Sequence, residues 1–146
     1  MWMMNLCQMA WALACAVSVS DALPTEAERS VLYETNSQRS RSGLAPLGFD
    51  LRLMRAARSH AANMGNLGVM SHNLQGSTPG GRAAWFGYAG GVRENVAHGY
   101  GPENVVGTAW MNSPPHRANI LSGTQNIGIG MVWARGRWWA CQVFGN

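Results

Sequence analysis

Ile127-Gly128-Ile129-Gly130-Met131-Val132-Trp133 and, beyond Ala134-Arg135-Gly136, Trp138-Trp139-Ala140-Cys141-Gln142-Val143-Phe144 form the stretch that decides the fold. In the first half, large apolar side chains alternate with smaller residues, which is the two-residue period of a strand. The glycine of the connecting triplet turns the chain back on itself. The second half is apolar on both faces, so it requires a cover on each side rather than one face in water. Trp133 and Trp139 are expected in that core.

Upstream, the chain supplies helices to do the covering. Thr25 with Glu28 three residues later is a capping box, opening a helix that runs to about Arg41 and stops at Ser42-Gly43. Asp50 caps a second helix, in which Leu51, Met54, Ala57, Ala61 and Met64 recur at steps of three and four and Gly65 and Gly68 mark the end. From Gly76 to Gly91 glycine is abundant and no period is sustained, which reads as a loop with one helical turn at Arg82 to Phe86. Glu94 to Ala97 is a short segment entering the core. Pro102 opens a third helix with Val105, Val106, Ala109 and Trp110 on its buried side, and Ser113-Pro114-Pro115 ends it. Helices first and strands last give an α+β class, a three-layer α-β-α sandwich with a small central antiparallel sheet. Residues 24–146 suffice for one such domain.

Three polar residues stand out against this frame: His72, Glu94 and His116, each 22 residues from the next. Two imidazoles and a carboxylate are an acceptable ligand set for zinc or another divalent metal, with room for a water. The spacing lacks the tight helical step of a His-Glu-x-x-His site, and no Gly-x-Ser-x-Gly elbow or phosphate-cradling loop is present. Glu94 has a second reading as a buried carboxylate that holds loops together. His60, beside the apolar stripe, and His98, before Gly99, read as structural or exposed.

The motifs around these residues resemble the CAP superfamily (cysteine-rich secretory proteins, antigen 5 and pathogenesis-related proteins) in its compact bacterial form. The resemblance runs from about Val31 to Phe144. It rests on Gly43-Leu44-Ala45-Pro46-Leu47, Glu94-Asn95-Val96-Ala97 and the segment Trp110 to Leu121, with Ser113-Pro114-Pro115-His116-Arg117 inside it. It implies the same three-layer fold and a cleft lined by His72, Glu94 and His116, with Gln142 as a polar neighbour and His72 and His116 as the metal-binding candidates. Asn112-Ser113 and Gln125-Asn126 stand where many relatives carry a second acid and a further histidine signature, so a full two-histidine, two-acid set is not expected. Arg117 and Asn119 are expected to pin the loop after the third helix, with Arg117 forking onto Glu94 or Glu103. Trp110 is expected in the core, and Trp85 at the rim of an apolar ligand site.

The ends and composition narrow the setting. Residues 1–22 read as a secretory signal peptide, uncharged through residue 20 and too short for a good membrane span. Ala12-Leu13-Ala14-Cys15 is a weak match to a lipoprotein box. Removing this segment takes Cys7 and Cys15 with it and leaves Cys141, a small buried hydrophobe without a disulfide partner. The net charge of +4 comes from 11 scattered arginines and no lysine, without the clustered basic stripe of a nucleic-acid-binding surface. Arg52, Arg55 and Arg58 read as one solvated helix face. The expectation is therefore a secreted or periplasmic domain that binds an apolar small molecule, peptide or envelope component rather than an enzyme. The alternative is a metal-dependent, peptidase-like hydrolase using His72, Glu94 and His116.

Overall fold

The computed structural model describes residues 19–146. The expected signal segment and Cys15 lie almost wholly outside the described residues. After a helical turn at Val19–Ala22, the elements are α1 (Glu26–Arg41), β1 (Gly48–Phe49), α2 (Leu51–Leu67), α3 (Pro79–Trp85), β2 (Arg93–His98), a π-helix (Val105–Trp110), α4 (Pro114–Ile120), β3 (Asn126–Ala134) and β4 (Arg137–Gly145). The strand order is β1-β3-β4-β2. β3, β4 and β2 are antiparallel, as expected, and the two-residue β1 adds a parallel edge beside β3. The hairpin closes through Arg135 and Gly136, both at positive φ, the backbone that a tight two-residue turn requires.

Each face of the sheet has its own cover. α2 lies on one face, packing Leu53, Ala57, Ala61 and Met64 against Val96, Trp139, Cys141 and Val143. α1 and the π-helix lie on the other, packing Val31, Val105, Val106 and Trp110 against Ala97, Ile127, Ile129, Ala140 and Phe144. The alternating glycines of β3 explain how close α2 sits. A Cβ on Gly128 would run into the Leu53 backbone, and one on Gly130 would come within 2.5 Å of the Ala57 carbonyl. Glycine is needed there because the helix backbone takes the space of a side chain.

The capping box is formed on both sides: Thr25 Oγ1 accepts from the Glu28 amide and Glu28 Oε2 accepts from the Thr25 amide. Glu28 is buried and also pairs with Arg58 at 2.6 Å, so Arg58 ties α2 to α1 instead of joining a solvated face. Four expectations are corrected. Pro102 precedes the third helix, which starts at Val105 and is π-wound, Met111 N–H reaching the Val106 carbonyl. The two prolines do not introduce a loop; they start α4, where missing amides cost nothing in the first turn. Residues 79–85 form a whole helix because Thr78 caps Gly81 and Pro79 fills the first position. Trp133 is 61 % exposed: it stands one residue before the end of β3 and meets Trp138 edge-on.

Candidate functional site

Glu94 is the centre. Strand β2 points its carboxylate toward α2, where the side chain is buried. Oε1 accepts from His72 Nδ1 at 2.9 Å and Oε2 accepts from Arg82 Nη2 at 2.5 Å. A carboxylate only accepts, so the bonded Nδ1 of His72 carries a proton and a neutral ring keeps its lone pair on Nε2. Cys141 lies below with Sγ 3.6 Å from Oε2. Burial first, and then the Glu94 charge, push its thiol well above the ordinary range, so it is no nucleophile.

Two residues that sequence reading does not assign to the site hold its loop. His60, fully buried on α2, sends Nε2–H to the Ser71 carbonyl at 2.7 Å. Its Nε2 is 3.8 Å from Glu94 Oε1, too far for a hydrogen bond. Arg82 donates to the carbonyls of His72 and Ser77 as well as to Glu94. Both therefore fix the segment that presents His72. Thr78-Pro79 before Arg82 is the available signal: a cap and a proline mark a helix start and turn an apparent loop arginine into one placed on a short helix.

His116 sits on α4 across the edge of β2. Its Nδ1 is 2.7 Å from Ser113 Oγ and its carbonyl accepts from Asn95 Nδ2. Burial, and next the proximity of His72, lower its pKa. His116 borders a cleft of about 260 Å³ with Met70, Val96, Ala97, Tyr100 and Ala109 in its wall. His72 is half exposed and close enough to His116 to bear on its pKa, but neither His72 nor Glu94 lines this cleft as expected. Gln142 does not reach this cleft: it is fully buried, donating to Thr35 Oγ1 and accepting from Asn95 Nδ2. Asn119 does pin the segment, donating to the Glu94 carbonyl and to Asn95 Oδ1. Arg117 is exposed and its side chain makes no hydrogen bond or ion pair among the described residues; Arg82 takes the place expected for it beside Glu94. Trp110 is buried and donates Nε1–H to the Val96 carbonyl, whereas Trp85 is 85 % exposed.

Among the described residues, no three His, Cys, Asp or Glu side chains gather as a metal would need. Glu94 has both oxygens engaged, so the three-ligand zinc set does not fit this arrangement. What remains for a metal is the Nε2 of His72, oriented by a carboxylate in the manner of an outer-shell partner, and the imidazole of His116.

The cysteine-rich secretory protein (CAP) family profile matches residues 32–143. An uncharacterized Bacillus subtilis protein, YkwD, is 36 % identical over 123 residues, covering 82 % of this chain and 47 % of that protein. The chain thus spans about half the length of this relative. An uncharacterized Borreliella burgdorferi protein is 32 % identical over 118 residues, covering 79 % and 76 %. The solved structure of an outer surface protein from Borrelia burgdorferi superposes with a TM-score of 0.78 at 26 % identity, over 84 % of this chain and 93 % of that one. An extracellular SCP-domain protein from Bacillus anthracis gives 0.70 at 21 % identity, covering 100 % and 45 %, a likeness of fold.

Proposed function

The chain belongs to the cysteine-rich secretory protein (CAP) family, and on that footing we propose that it is an exported, non-catalytic binding domain. Its cleft at His116, with His72 nearby, takes a small apolar group, best supplied by a peptide side chain or an apolar envelope component. One observation carries this reading: both oxygens of Glu94 are engaged, one orienting His72 and the other held by Arg82. A general base needs a free oxygen within reach of water or substrate. Glu94 instead links Arg82 to His72 in a fixed arrangement, which suits recognition. The cleft, at about 260 Å³, is just below the range of drug-sized ligand pockets, which favours a side-chain-sized occupant.

Export is supported by the apolar, uncharged start of the chain and by a structural relative that is itself described as an outer surface protein. Among the described residues no helix is long and apolar enough to cross a membrane. Protein recovered from its host should begin near Asp21 or Leu23; an intact start at Met1 in the cytosol contradicts export. Binding is tested by a mass-spectrometric inventory of what copurifies with the protein and with its His72→Ala and His116→Ala variants. An apolar species lost from both variants supports the reading. The same inventory from all three overturns it, and zinc-dependent peptide cleavage lost in Glu94→Gln would favour the hydrolase.

A further inference from the structure

A second and larger groove, of about 690 Å³, opens between α2 and α3. Its wall includes Asn63, Asn66, Gln75, Ser77 and Thr78, and no acidic residue. The one guanidinium there, Arg82, is already neutralised by Glu94. Trp85, the most exposed large hydrophobic residue among those described, also lines it. The groove therefore offers amides, hydroxyls and one broad aromatic face.

Two buried side chains in its wall have hydrogen-bonding capacity to spare. His60 and Arg82 are 0 % and 7 % exposed, and their Nδ1 and Nε atoms are the buried side-chain polar atoms without a partner among the described residues. Nε2 of His60 holds its proton against the Ser71 carbonyl, and burial lowers the pKa of the ring, so its Nδ1 is an acceptor. Arg82 Nε–H is a donor. An acceptor and a donor that lack partners, buried on two side chains of one groove wall, match a group that carries both, as an acetamide does.

We propose that this groove binds an uncharged glycan bearing N-acetyl groups, with the indole of Trp85 as platform for a sugar ring and with His60, Arg82 and the neighbouring amide side chains reading its polar groups. Sugar rings present one apolar face and a rim of hydroxyls, which suits an aromatic plane set beside Asn, Gln, Ser and Thr. A peptide fits less well. The walls are helices and loops, so there is no free strand edge to extend. No residue lines both this groove and the cleft at His116, although Arg82 of the groove also holds Glu94 and the His72 carbonyl.

The test is a calorimetric titration of the protein with the β-1,4-linked tetramer of N-acetylglucosamine. Cellotetraose, which lacks the acetamides, and acetyl-tetraalanine-amide serve as comparison ligands. Binding of the N-acetylated tetramer is expected, weakened about tenfold or more by Trp85→Ala. The same substitution at Trp133, also exposed but not among the residues lining this groove, should leave affinity unchanged. Cellotetraose should bind about tenfold or more weakly than the acetylated tetramer, as partners for His60 and Arg82 are lost. No binding of the tetramer, equal loss in the Trp85 and Trp133 variants, or tighter binding of the capped peptide would each overturn the proposal.

Discussion

Two buried charges sit on opposite sides of the sheet and are satisfied in opposite ways. Arg39, at the end of α1, donates from all three guanidinium nitrogens to backbone carbonyls: Ala45, Ile120 and Ser122 at 2.8 Å each and Thr124 at 3.3 Å. It has no anionic partner among the described residues, and each of its nitrogens has at least one carbonyl acceptor. Glu94, on β2, is bound to side chains, one of them a half-exposed histidine, and its two buried neighbours each keep an unpartnered nitrogen. Arg39 holds loops, with four of its five N–H groups given to backbone carbonyls. The surroundings of Glu94 hold a loop and also retain hydrogen-bonding capacity, which is what a binding site requires.

The sharpest break of this contrast is Arg39→Leu. Four carbonyls then lose their donor, and stability in urea melts should fall by about 3–5 kcal/mol. A loss under about 1 kcal/mol would mean the carbonyls are readily rehydrated and Arg39 is no scaffold. Glu94→Ala should cost about 1–3 kcal/mol, with more from the stranded Arg82, while Glu94→Gln keeps the shape and should fold but weaken the cleft. A third expectation concerns pH. Burial holds the pKa of His60 below its usual 6.5, so the unfolded chain binds the proton more readily. Stability should be full above about pH 6.5 and fall as the pH drops below it, by up to about 1.4 kcal/mol per unit, and His60→Gln should flatten that slope. An unchanged slope would place the acid sensitivity elsewhere. Smallest is Glu103→Ala, at an exposed position ahead of the π-helix, expected to cost about 0.5 kcal/mol or less. If Glu94→Ala is equally harmless in the same melts, Glu94 is solvated and the contrast with Arg39 disappears.

Local signals are legible in the sequence where local chemistry decides. The Thr25–Glu28 box, the Asp50 cap, the Gly68 stop and the β3–β4 hairpin lie where their residues indicate, because each depends on neighbours a few positions away. His72 and Glu94 are picked out by motif and do meet. Long-range pairings are not readable. Arg82, not Arg117, reaches Glu94, and Gln142 turns into the core toward Thr35, because strand facing and helix placement settle those contacts only after the sheet forms. His60 looks like an ordinary core residue in the sequence; its value lies in a bond to Ser71, on a loop whose path no periodicity sets.

The proposed site depends on Glu94 fixing the ring of His72, and long-range nitrogen NMR of the histidine rings reads that directly. Measured well above the ordinary imidazole range, His72 should carry its proton on Nδ1, with Nε2 unprotonated, in the wild-type protein. In Glu94→Gln that preference should be lost or much reduced, while the Nε2–H of His60, held by the Ser71 carbonyl, stays as it is. A wild-type His72 with its proton on Nε2, or one averaging freely between both nitrogens, would contradict the arrangement on which the proposed site rests.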